Sequence, residues 1–331
     1  MLRKSIVAAV AVLLLAATPV ARSPQVLCEG FLPENDLKIP IMKSASLTGM
    51  TESQFNEVLD KVERIYAPVV SAMGGNLKIK RLWTDDTVNA SAQRWGSTWI
   101  LNMYGGLARH EAITQDGFAL VVCHELGHHL GGAPKMGGRW ASNEGQSDYF
   151  STMKCLRKVF ADAGSSGFSR PAAMADPFVA KQCGEKYAGG KERALCKRLA
   201  AAGMSVSSLF QIGRGEETTP SFATPDPRVV GSTQDQHPAT QCRLDTYFSG
   251  ALCPKSAYED VDQGDAAVGT CTRAEGYAWA ARPRCWYKPP KAEKAELVKA
   301  EISESPLKLP LAYKKEDSAF AALRRMADGS R

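Results

Sequence analysis

The run Cys123-His-Glu-Leu-Gly-His128 places two histidines four residues apart, with a glutamate directly after the first. On a helix, positions four apart share one face about one turn apart, so His124 and His128 can offer two imidazoles to a single metal ion. Glu125 projects alongside, toward a water that the metal would acidify, and is placed to take its proton as that water attacks a carbonyl. This is the chemistry of a catalytic zinc site, and one Zn2+ per chain is expected. His129 lies about 100° further round the helix and is set aside as a ligand for that reason.

A catalytic zinc needs a third protein ligand and an open position. Glu144, sixteen residues after His128, is the natural candidate. Asp148 stands one turn beyond Glu144 on the same face and is expected to orient one imidazole. His110 is the rival ligand, but it sits beside Glu111 in a polar stretch. Taken alone, Glu144 would be read as a surface carboxylate at a helix start, where negative charge is favoured anyway. The setting of the histidines argues otherwise, because histidine and glutamate inside an apolar helix are costly without partners.

The elements that must position these groups are legible. Phe118 to Leu130 is apolar nearly all round and ends in Gly131-Gly132, which predicts a buried helix. Asn143 to Phe160 is expected to form a second helix. Thr51-Glu-Ser-Gln54 reads as a capping box, and Phe55, Val58, Leu59, Val62, Ile65, Tyr66, Val69 and Val70 follow at helical spacing until Gly74-Gly75. Three short β-rich pieces come next: Leu77 to Trp83, Val88 to Arg94, and Thr98 to Tyr104. The Asp85-Asp86 and Gly96-Ser97 turns between them predict an antiparallel meander. Residues 24–50 lack periodicity and are expected to run extended. Residues 161–182 read as a loop and Leu195 to Phe210 as a helix. The Lys/Glu-rich tail of 286–331 reads as solvated and largely disordered.

Arg3 and Lys4 precede an apolar run from Ile6 to Ala17, then Pro19, Ala21 and Ser23, the pattern of a cleaved secretory signal over residues 1–23. The mature chain is expected to be exported, periplasmic or secreted, with no integral membrane segment and with 24–285 as its one catalytic domain. Of 331 residues, 44% are hydrophobic and 23% charged, enough for one large catalytic domain or two small ones. Without Arg3 and Lys4 the formal charge falls from +6 to +4, and no basic block alternates with aromatics, so nucleic acid is excluded as a partner. Nine cysteines without a CxxC pair point to disulfides in an oxidising compartment. The expected bridges are Cys183–Cys196, Cys242–Cys253, Cys271–Cys285 and Cys28–Cys155. Cys123, inside the apolar helix, is expected to stay reduced.

With these residues in view, the chain resembles the gluzincin metallopeptidases, in particular the family of the CAAX prenyl endopeptidases and heat-shock membrane proteases. The likeness covers roughly residues 85–155 and 230–245. It is carried by Val88-Asn-Ala-Ser-Ala92, by Thr98–Tyr104 with Gly105-Gly-Leu107, by His124-Glu-Leu-Gly-His128, by Glu144 with Asp148, and by His237-Pro238 followed by Arg243. It implies an α+β fold, a small antiparallel sheet beside the active-site helix, with an edge strand near Thr98 to Met103 pairing with an extended peptide or protein substrate. It also implies a catalytic role for His237 as donor to the oxyanion, with Arg243 orienting a cleft carboxylate or assisting. The chain lacks the membrane helices of those relatives, so their prenylated substrate is not carried over. The competing reading is a non-proteolytic zinc-binding envelope chaperone or assembly factor. Glu125 argues against it, since a structural site has no use for a base.

Overall fold

The computed structural model of the chain describes residues 30–41, 49–161 and 176–290, with the backbone of Gln25–Val26 besides. The signal-like stretch of 1–23, Cys28 and nearly all of the charged tail lie outside the described residues. Thr51 caps α1 (Glu52–Ala72): its hydroxyl accepts from the Gln54 amide while Gln54 returns a bond to the cap. The buried stripe of α1, from Phe55 to Val70, is the one that the spacing predicts, except that Ile65 is only half-buried and Lys61 is buried as well. The sheet then follows as β2 (Asn76–Leu82), β3 (Ala90–Trp95) and β4 (Thr98–Tyr104), with a two-residue β1 (Gln25–Val26).

The sheet is mixed and not a meander. β3 and β4 form the antiparallel hairpin that Gly96-Ser97 predicts, but β2 runs parallel to β4, and the order is β1-β3-β4-β2. A parallel partner needs a crossover, and the chain from Trp83 to Asn89 supplies one. Arg109 holds that crossover in place, donating to the carbonyls of Trp83 and Asp85. β4 is therefore an interior strand, bonded on both sides, and has no free edge for a substrate. The outer side of β3 is an edge instead, carrying the β1 pairing and one bond from Phe31 N–H to the Ala90 carbonyl.

After a short α2 (Gly105–Ala108), α3 (Gln115–Leu130) runs through the centre, and every one of its residues is buried. It packs on α1, on β3 and β4, on α4 (Glu144–Phe150) and on α7 (Gly190–Gly213). α4 continues through a turn of π-helix, Ser151–Cys155, into α5 (Leu156–Ala161). α6 (Pro177–Lys186), which begins inside the stretch 161–182 expected to be a loop, and α8 (Thr240–Leu252) are the remaining α-helices among the described residues. No helix among the described residues is long and apolar enough to cross a membrane.

Four disulfides join Cys123–Cys155, Cys183–Cys196, Cys242–Cys285 and Cys253–Cys271. Only Cys183–Cys196 matches the expected pairing. Cys123 is buried as expected but is bonded, and its partner Cys155 is the residue paired with Cys28 from the sequence. The bridge ties the helix of the two histidines to the segment following Glu144 and Asp148. Four bridges fit an oxidising, extracytoplasmic environment.

The π turn also buries Lys154, which is 1% exposed and donates to the Ser256 carbonyl at 2.7 Å. Burial pushes its ammonium down to about 7. Below that pH both folded and unfolded chains carry the proton, and the folded state bears the whole cost of burying charge. As pH rises toward the ordinary lysine value, the unfolded chain loses the proton too and the cost vanishes. Lys154→Met should therefore stabilise the protein by about 1–3 kcal/mol at pH 6–7, after loss of the Ser256 bond, and give no gain near pH 10.5. Urea unfolding at several pH values measures this. A uniform loss of stability would show that the bond outweighs the burial.

Candidate metal centre

Two helices bring the site together because glycines let them approach. A Cβ at Gly127 would stand 3.0 Å from the Ser147 backbone, so glycine there allows α3 to lie against α4. On the other side of α4, a Cβ at Gly145 would collide with the Trp286 indole. Asn143 caps α4, accepting from the Gln146 amide at 2.9 Å, and Glu144 is thereby the first helical residue, beside His128.

The predicted ligands converge. One nitrogen each of His124 and His128 and a carboxylate oxygen of Glu144 lie within 4.8 Å of one another, all buried. Their other atoms decide which lone pairs remain. His124 Nδ1 is 2.7 Å from Asp148 Oδ1, and His128 Nδ1 is 2.8 Å from the Ser142 carbonyl. Both partners are acceptors, so each Nδ1 carries a proton and each Nε2 is the atom left to take a metal ion or a further proton. The two Nε2 atoms and Glu144 Oε2 are buried without a hydrogen-bond partner, although His124 Nε2 and Glu144 Oε2 are only 3.2 Å apart. Lone pairs gathered this closely repel one another unless a proton or a metal ion sits among them, and this donor set of two imidazoles and a carboxylate suits a divalent metal ion.

Charge around the group is ordered to the same end. Burial works against Glu144 ionising, but His237, His128 and His124 outweigh it and hold its carboxyl well below the usual range. Burial also works against a charged His124, yet the Asp148 carboxylate, with Glu144, overcomes this and raises it to about 9. His128 has no such carboxylate, and burial lowers it to about 4. Glu125 is fully buried, both its oxygens lack a partner, and burial raises its carboxyl to about 8.

His237 belongs to the site and not to an exposed turn. The loop before it is clamped onto α4, since Asn143 donates to the Gln234 carbonyl and the Glu144 amide to the Asp235 carbonyl. Its Nε2 lies 3.2 Å from Glu144 Oε2, with the side chain 13% exposed, and it stays outside the ligand group. Arg243 is fully buried. It grips Asp148 at 2.7 and 2.8 Å, with one further bond to the Phe31 carbonyl. It thus acts through Asp148 on His124 and is a positioning residue. His110 is not among the ligands, and its Nδ1 accepts from the Ala112 amide. His129 faces away, stacked between Trp99 and Trp140.

Two contributors escaped the sequence. Tyr247 donates to Asp148 Oδ1 at 2.9 Å, and its place one turn after Arg243 was a usable signal. Phe31 packs edge-on against the His124 ring at 4.9 Å, from a stretch with no periodicity to betray it. A second group of possible ligands, Asp226 with Cys242 and Cys285, is no rival, because both sulfurs are spent in one disulfide. The chain matches no family model, no curated protein and no solved structure.

Proposed function

We propose that this chain is an exported zinc-dependent endopeptidase built on the gluzincin plan. The observation that carries the reading is the buried convergence of His124 Nε2, His128 Nε2 and the Glu144 carboxylate, beside an unpartnered Glu125 on the same helix. Three protein ligands leave one coordination position open, which distinguishes a catalytic from a structural zinc site. Zinc held there supplies Lewis acidity toward a peptide carbonyl and toward water.

The chain's own groups do the rest. Glu125 adjoins His124, and among the described residues no hydrogen bond engages its oxygens; a cation in the site would favour its ionised form, which receives the proton of the attacking water and later passes it to the leaving amine. His237, held at the rim of the group by its clamped loop, donates to the oxygen on which negative charge develops. Asp148, Arg243, Tyr247 and the Ser142 carbonyl fix the imidazoles in one tautomer and one orientation. Peptide bonds of proteins in the envelope or outside the cell are the substrate class that fits an exported chain.

Metal analysis and casein cleavage test the reading together. The wild type should carry one zinc per chain and cleave casein, whereas His128→Ala should lose most of the zinc and all cleavage. Full zinc occupancy in the variant would remove His128 from the ligand set. A zinc-replete wild type that leaves casein intact would favour the non-proteolytic envelope role.

A further inference from the structure

Beside the metal group lies a cluster of cations whose counter-charge is missing. Arg94, next to last in β3 before the hairpin turn, lays its guanidinium 4.1 Å from the Trp99 ring centre and 4.8 Å from that of Trp140. The His129 ring stacks between the same two indoles, at 5.3 and 4.7 Å, so guanidinium and imidazole share one slot. Lys135 reaches the Trp140 carbonyl at 3.2 Å, Ser142 Oγ at 3.4 Å and Gln263 Oε1 at 2.6 Å, all neutral oxygens. Among the described residues no carboxylate pairs with Arg94 or Lys135.

Two side-chain donors of the cluster are also buried without partners, Arg94 Nε and Trp140 Nε1. Buried donors are almost always satisfied, and two neighbouring cations without an acid repel. Burial and the Arg94 charge together bring Lys135 down to about 8, which reports the same strain on the pair. Arg94, Lys135 and Trp140 are each half-buried as residues, while Arg94 Nε and Trp140 Nε1 themselves are covered. The slot adjoins the metal group through the chain itself. His129 follows the ligand His128, and Ser142, which Lys135 touches, is the residue whose carbonyl holds His128 Nδ1.

We propose that Arg94, Lys135 and the Trp140 N–H form a carboxylate-binding subsite that selects peptides carrying a carboxylate close to the bond cleaved. The substrate half of this rests on the peptidase reading, while the anion site does not. The carboxylate has two possible sources, a free peptide C-terminus or an Asp/Glu side chain.

Calorimetric binding to the zinc-loaded Glu125→Gln protein separates them, using one neutral peptide with a free C-terminus, its amide, and the amide with a single Glu. One of the two carboxylate peptides should bind about tenfold or more tighter than the neutral amide, the scale of a charge-assisted hydrogen bond. Arg94→Gln should erase that difference. Lys135→Met, which leaves both indoles stacked, should do the same if the Arg94 variant folds poorly. In parallel, acetate should perturb the indole fluorescence of the zinc-loaded protein and do so less in Lys135→Met. Equal binding of all three peptides, or a preference that survives both variants, overturns the subsite while leaving casein cleavage untouched. An acetate response lost in Lys135→Met, in a protein that cleaves nothing, upholds the anion site and rejects the peptidase reading instead.

Discussion

Glu125→Gln is expected to keep the fold and the zinc while lowering peptide hydrolysis by about 10²–10⁴-fold, the contribution of a positioned general base. The substitution changes charge and proton affinity and hardly changes shape. Glu125 has no hydrogen bond to lose, since both its oxygens are buried without a partner. It is not in the group of converging ligand atoms, so metal content should not move. Its burial opposes ionisation and raises the carboxyl to about 8, so a neutral amide is no less at home there. What the amide cannot do is accept a proton. Zinc by mass spectrometry, circular dichroism and cleavage of a quenched peptide are read on the same preparation. Equal cleavage by variant and wild type would end the peptidase reading, whereas loss of zinc along with activity would make Glu125 a ligand.

Much of this site was legible because helical periodicity is a local property. The four-residue spacing of His124 and His128, and again of Glu144 and Asp148, puts each pair on one face whatever the rest of the chain does. The capping box at Thr51 and the all-apolar run of α3 are local in the same sense. What stayed hidden depends on packing between elements. Cys123 reads as a core residue, and it is one, but its bond to Cys155 exists only once α3 lies against α4 and the π turn brings the sulfur inward. β2 has the same alternation whether its neighbour is parallel or antiparallel, so the crossover onto β4 was not visible, and with it went the edge assigned to Thr98–Met103. Phe31 owes its place to Gly30 and to Asn89, whose side-chain oxygen accepts from the Leu32 amide, contacts that join residues far apart in sequence.

The heaviest cost to stability is expected from Asp148→Ala. Four bonds end on this buried carboxylate: His124 Nδ1 at 2.7 Å, two from Arg243 at 2.7 and 2.8 Å, and the Tyr247 hydroxyl at 2.9 Å. Burial disfavours its charge, yet Arg243 beside it prevails and holds the carboxyl below the ordinary range. Alanine leaves the guanidinium fully enclosed with two neutral acceptors, the Phe31 carbonyl at 3.3 Å and the Tyr247 hydroxyl, and with no carboxylate bonded to it. An uncompensated buried charge costs about 3–5 kcal/mol. The same change frees the His124 ring to rotate and to choose its tautomer, which should weaken zinc binding by about 10–100-fold. The two effects come apart in the double variant Asp148→Ala, Arg243→Met. Removing the stranded cation should recover most of the stability, since the methionine can pack on Phe31 and Phe210, the rings that Arg243 now covers. Zinc affinity should stay low, because nothing then orients His124. Chemical denaturation and zinc competition titration of the three proteins measure both quantities. If affinity returns with stability, Asp148 serves only to neutralise Arg243, and the imidazole is oriented by Glu144 and the packing of Phe31 alone.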